Sequence, residues 1–378
     1  MSRTRKRYAP THDDEPPLFP DEIARREDIA ATAPVPDDIA RGFATPNIVV
    51  SSKNKKFESE LQFGRLKEIE GALQLREPEG LILGIPGRTA ERLTSEKVAS
   101  EVPPGNTTPA LRPPWVSQVF HPRPSILPRR PLLRNTDGRR VEPFYGVFGN
   151  EDRQVYYPSG YPWRCIGRLF TWTNASTPNW SFYGSGVLVG PRHVLCAGHL
   201  APWGSNNWMM KFVPSYYDGV SLDGPGVLSY VSDYWGYNDG RNVTAWDMLL
   251  LRLYTPLGDQ LGYFGSKIYD PAWENQPYWE LCGYPSAITP ERPSYQLGIS
   301  ILDHDNSGDA VQLEHQGDLT PGDSGGPFFG FWPDGFPYVI GTNSGGELIT
   351  GSGAEDNNIE AGGKALVDLI KWGLANWT

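Results

Sequence analysis

Cysteine is scarce in this sequence: Cys165, Cys196 and Cys282 are the only three in 378 residues, and no two form a CxxC pair. That excludes a zinc-finger-type ligand set and a dense disulfide framework. It leaves either one bridge with a free thiol or three reduced thiols. Positive charge is also in deficit. Lys and Arg total 34 against 44 Asp and Glu, a net charge of −10, which argues against nucleic-acid binding, a role that usually needs a basic face. No run approaches the roughly 20 apolar residues of a membrane span. The basic start Met1-Ser-Arg-Thr-Arg-Lys-Arg is followed by no apolar stretch, which speaks against an ordinary secretory leader. Without one, sequons such as Asn174-Ala-Ser and Asn242-Val-Thr read as coincidental.

What is abundant points elsewhere. There are 42 Gly and 36 Pro, with 39% hydrophobic and 12% aromatic residues. That mixture supports a sizeable core built from short strands and many turns. Residues 1–144 differ from the rest, with clustered charge, scattered proline and few aromatics. They are expected to form a low-order N-terminal region. Within it, Phe57, Leu61, Ile69 and Leu73 have roughly helical spacing, and Glu79-Gly-Leu-Ile-Leu-Gly-Ile-Pro reads as a short strand. Residues 145–378 alternate aliphatic runs with Gly, Pro, Asn and Asp, the pattern of an all-β barrel or sandwich. From Ala361 to Thr378 the period changes. Leu366, Leu369, Ile370 and Leu374 fall on one face, predicting a C-terminal helix.

Three motifs in the second part carry chemistry. Gly184-Ser-Gly-Val-Leu-Val-Gly-Pro-Arg-His-Val-Leu-Cys-Ala-Gly-His199 ends a strand-like run on a histidine. Trp246-Asp247-Met-Leu-Leu-Leu-Arg-Leu begins one after an aspartate. Thr320-Pro-Gly-Asp-Ser324-Gly-Gly-Pro sets a serine in a glycine turn. A serine hydroxyl becomes a useful nucleophile when an imidazole takes its proton. The imidazole needs a carboxylate to fix its tautomer. The tetrahedral intermediate needs preorganised N–H donors, here from Gly322 and Ser324. Only glycine easily adopts the backbone that such a turn demands at 322. Singly, His199 reads as a packed histidine, Asp247 as a strand-start residue and the glycine run as a flexible turn. Jointly, the order His-Asp-Ser is one of the known chain orders of the triad.

On these motifs the region from Val147 to Asn376 resembles the chymotrypsin-like serine peptidase clan. Val147-Phe-Gly-Asn-Glu-Asp-Arg153 and Gly283-Tyr-Pro285 are similar to segments of its glutamyl-endopeptidase branch. The resemblance implies two packed antiparallel β-barrels, with His199 and Asp247 in the first and Ser324 in the second. It also implies a substrate-binding set of Asp318, Leu319, Asn343, Ser344, Gly345 and Gly346, in which Ser344 to Gly346 pair with the substrate backbone as an added strand would. Leu319 and Asn343 stand where that branch carries the threonine and histidine that read glutamate. A strict glutamate preference is therefore not expected. In trypsin-type enzymes an acid at the place of Asp318 selects Arg or Lys, whereas in the glutamyl branch it is structural.

Asp323 occupies the position that, in trypsin-type zymogens, receives a newly freed N-terminal amine. Arg129-Arg130 and Arg139-Arg140 lie just upstream, so the N-terminal region is a candidate propeptide acting in cis. Cys196 is expected to pack as a small apolar residue, His193 to lie on the surface and His315 to be structural. The leading expectation is peptide-bond hydrolysis on a protein or peptide substrate, with no metal, organic cofactor, nucleic acid or membrane involved. The alternative is a catalytically silent protease-fold binding module. An esterase reading of Gly322-Asp-Ser-Gly-Gly326 conflicts with the chain order. Location stays open, since the resembling family is largely secreted and no leader is visible.

Overall fold

A computed structural model describes residues 15–44, 84–125, 147–237, 245–289, 291–348 and 355–377. The helical pattern over residues 57–73, the residues 79–83, both dibasic pairs and the Asn242 sequon lie outside them.

The strands Ile166–Trp172, Phe182–Leu188, His193–Cys196, Met209–Pro214, Ser229–Tyr237 and Leu249–Leu253 form one closed antiparallel ring. Its last link returns from Ser229–Tyr237 to Met209–Pro214 through Ser229↔Phe212 and Tyr230↔Lys211. Two packed surfaces explain why the 249–253 strand opens with an unbroken Leu249–Leu251 run rather than an alternating pattern. One side fills the barrel. The other meets the C-terminal helix, where Leu250 reaches Gly373.

The second ring uses Trp279–Gly283, Ser294–Ile299, Ala310–His315, Pro327–Phe331, Pro337–Leu348 and Glu355–Gly363. The Ser294–Ile299 strand continues past Ser300 into Ile301–Ser307. That bend lets one stretch of chain pair with Trp279–Gly283 at one end and Ala310–His315 at the other, so the ladder returns to its start. All of these pairings are antiparallel. The all-β two-barrel expectation holds, and so does the C-terminal helix, though it spans Lys364–Asn376. Ala361 to Gly363 belong to the preceding strand, and Gly363, at φ 86°, turns the chain from strand to helix.

Within residues 1–144, expected to be of low order, the described parts carry short elements that pack on the barrels. Residues 15–23 lie along the second barrel, where the Leu18 N–H donates to the Phe331 carbonyl at 2.7 Å. Thr89–Leu93 adds a parallel strand to Ser229–Tyr237 of the first barrel. The helix Ser95–Glu101 is capped by Thr94, whose side chain accepts from the Lys97 N–H. It docks on the C-terminal helix, with Val98 fully buried and Glu101 accepting from the Trp372 indole at 2.6 Å. Thr107–Thr108 pairs with Gly265–Lys267. Composition underrates such a segment because it measures what a chain buries against itself. This one buries Leu18, Ile23, Leu93, Val98, Val116 and Phe120 against barrels that are already formed.

Candidate active site

His199 sits in a short 3-10 turn, Gly198–Leu200, just beyond the His193–Cys196 strand. Asp247 precedes the neighbouring strand, whose register sets Leu249 opposite Cys196. That pairing brings the two residues together. The Asp247 carboxylate is completely buried and meets His199 twice. One oxygen lies 2.7 Å from Nδ1 and the other accepts the His199 backbone N–H at 2.8 Å. The Ser344 hydroxyl donates to the same carboxylate at 2.6 Å. With Nδ1 held as the donor, Nε2 is left as the basic nitrogen.

Ser324 follows Gly322 and Asp323 in a turn of the second barrel and is almost buried, at 5% exposure. Gly322 has φ +104° and Gly325 φ +80°, and a Cβ at Gly322 would lie 2.3 Å from the Tyr284 carbonyl. Position 322 thus requires glycine for both backbone angle and space. The turn docks on the first barrel. The Ser324 carbonyl accepts from Ser185 N–H at 2.7 Å, and the Ser185 hydroxyl donates to the Gly322 carbonyl at 2.8 Å. A Cβ on Gly325 would lie 2.9 Å from Ala197 N, two residues before His199. The Gly322 N–H has no acceptor among the described residues. A recess of about 610 Å³, lined by His199, Phe182, Ala201, Pro202 and Trp203, opens beside the histidine.

A buried charge network backs the turn. Arg153 donates through Nη1 to Asp323 at 2.5 Å and to Thr320 Oγ1 at 2.9 Å, and its other face forms a fork on Glu151. Arg153 and Asp323 side chains are both fully shielded from solvent. Burial pushes Asp323 up to about 6 while Arg153 pulls it down. Deeper in the barrel, His315 Nδ1 accepts from Gly317 N–H at 3.0 Å. Nε2 must then carry the proton, which it donates to Glu360 at 3.0 Å. Burial holds His315 down to about 3 and Glu360 well above the carboxylate range. The pair is enclosed in the core, in keeping with the structural role expected for His315.

The substrate-binding candidates separate. Both Asp318 oxygens accept backbone N–H groups, from Phe148 at 2.9 Å and Asp152 at 3.0 Å. Leu319 is fully buried in the second barrel's core and presents no surface to a ligand. Asn343 is also buried, and its amide donates to the Asp323 carbonyl at 3.1 Å. Ser344 faces Asp247. Gly345 and Gly346 continue the strand opposite Ile359 and Asn358, beyond Thr342, where pairing with Pro327–Phe331 ends. His193 is corrected from surface to buried: it is 2% exposed and stacked on Trp377. Cys165, Cys196 and Cys282 are all free and buried. The network role of Arg153 was not foreseen. Its one sequence signal is indirect: an acid beside the serine turn, once buried, needs a cation.

No family model and no curated protein matches this sequence. Among solved structures, the chain is similar to a Glu endopeptidase in complex with MPD. The TM-score is 0.47 at 17% identity, covering 61% of this chain and 100% of the other. It is also similar to the protease Anisep from Arthrobacter nicotinovorans, with TM-score 0.40 at 19% identity, covering 56% of this chain and 93% of the other. The chain itself folds as two six-stranded antiparallel barrels with a C-terminal helix.

Proposed function

We propose that the protein is a serine endopeptidase that cleaves peptide bonds through an acyl-enzyme on Ser324. The observation that carries this reading is Asp247. It is a fully buried carboxylate held against both Nδ1 and the N–H of His199, beside the docking point of the Ser324 turn. In this reading His199 Nε2 takes the Ser324 proton as the hydroxyl attacks the carbonyl, then returns it to the leaving amine. Asp247 orients the imidazole and stabilises it when charged. The N–H groups of Gly322 and Ser324 receive the oxyanion. Ser344 to Gly346 hold the substrate backbone. The reaction draws on side chains and backbone amides alone.

The P1 side chain is uncharged in this proposal. A basic P1 finds no counter-charge, because both oxygens of Asp318 already serve backbone N–H groups. An acidic P1 meets neutral Asn343, and burial of a carboxylate without a cation is unfavourable. A fluorophosphonate probe, run with a peptide library on wild type and Ser324→Ala, tests both points. The expected result is one adduct on Ser324, loss of cleavage in the variant and cuts after uncharged residues. An unlabelled wild-type chain would favour a silent binding module.

A further inference from the structure

We infer that Arg153 is the positioning residue of the Ser324 turn, so that this turn is set by a side chain within the chain and not by an amine released on cleavage. The inference rests on the peptidase reading above. A serine turn of this kind must aim the Gly322 and Ser324 N–H groups to the same side. Asp323, between them, must then direct its carboxylate the other way, into the protein. A carboxylate that enters the interior needs a cation and hydrogen bonds to stay there. Arg153 supplies the cation at 2.5 Å, and the Thr320 N–H adds a bond at 3.0 Å. Arg153 is in turn held by the fork from Glu151.

The segment that brings Arg153 is itself fastened to the serine loop. Phe148 and Asp152 donate their N–H groups to Asp318, at the start of the same loop whose end carries Asp323. The next strand, Gln154–Tyr157, is locked to Ser294–Ile299. Residues 148–153 and 318–324 thus form one clamp with an acid at each end, and its cation comes from the side chain of Arg153. Arg153 and the Thr320 N–H take Oδ2 of Asp323, while Oδ1, equally buried, has no hydrogen-bond partner among the described residues. Under this inference cleavage upstream is not required to build the oxyanion site.

The experiment uses the full chain in four forms: wild type, Arg153→Met, Arg153→Lys, and a form with Arg129, Arg130, Arg139 and Arg140 all changed to Gln. Each is scored for fluorophosphonate labelling rate, kcat and KM on a cleaved peptide, affinity for a peptide aldehyde that forms a tetrahedral adduct, and thermal midpoint. Arg153→Met is expected to lose about 100-fold or more in kcat, labelling and aldehyde affinity, with KM changed by less than about threefold. Arg153→Lys, which keeps the charge but not the fork, should recover about tenfold of that loss. The four-Gln form should stay within about threefold of wild type without being cut. If Arg153→Met fails to fold, the lysine and four-Gln forms still decide. Wild-type behaviour in Arg153→Lys or Arg153→Met, or a four-Gln form that is inert, overturns the inference and leaves the peptidase reading standing. An unlabelled wild type overturns the reading and the inference with it.

Discussion

The two barrels hold their parts of the site by different means. His199 and Asp247 stand at the ends of strands whose neighbours are apolar, with Val194, Leu195, Cys196, Leu249, Leu250 and Leu251 all fully buried. Ser324 stands on a turn backed by charged or ionisable groups, with Asp318, Asp323, His315 and Glu360 equally buried. The contrast follows from what each part needs. A histidine beside an aspartate needs two strand ends at one level, and an antiparallel register between aliphatic strands provides that. A turn with a left-handed glycine has no strand ladder of its own to hold it. Its geometry comes from backbone bonds to Ser185 and Asn343 together with side-chain hydrogen bonds and a buried ion pair. The apolar half tolerates volume-conserving change, whereas the polar half fails when any one partner is lost.

The comparison can be broken first on the aspartate. Asp247→Asn should keep the fold and lower kcat by roughly 10⁴, because an amide lets the imidazole adopt the wrong tautomer. Steady-state kinetics beside an unchanged melting curve would show it. Next comes the turn. Gly322→Ala meets the Tyr284 carbonyl and a left-handed backbone, and should cost about 10²–10³ in kcat with little change in KM. An active Gly322→Ala enzyme would remove the oxyanion role from this turn. A smaller effect is expected where the barrels meet. Ser344→Ala removes one hydrogen bond from a buried carboxylate and should lower kcat about tenfold.

The smallest effects sharpen the contrast through pH. In the first barrel, burial lowers His193 to about 4. The folded state resists the proton that the unfolded chain takes, so this contribution is complete above about pH 6.5 and fades as pH falls toward 4. In the second barrel, burial raises Glu280 to about 8. Its contribution is complete below about pH 4.5 and fades as pH rises toward 8. Urea midpoints across this range should show both trends. His193→Gln should flatten the acid limb alone and Glu280→Gln the alkaline limb alone. A shared response would mean that the barrels unfold as one electrostatic unit.

Much of the site was legible because its signals are local. A glycine turn, a histidine after an aliphatic run and an aspartate before one are each written within about eight residues, and backbone preference acts over that span. The C-terminal helix could be read for the same reason, from its period. What escaped was non-local. The clustered charge and scattered proline of residues 15–44 and 84–125 hid strands and helices that pack against other elements. His193 looked like a turn residue because nothing near it in sequence shows that Trp377 will cover it.

By itself, the sequence of this chain determined the β class, the order of His199, Asp247 and Ser324, and the need for glycine at 322. These depend on strand and turn preferences that neighbouring residues settle among themselves. Tertiary structure alone decided that Arg153 reaches Asp323 across 170 positions and that Ser344 reaches Asp247 across 97. It also decided that Leu319 fills a core and that Asp318 fastens a strap. The physical reason is burial. Whether a charge finds a partner, or a side chain finds solvent, is settled by which surfaces two closed barrels leave for each other and for the chain that wraps them.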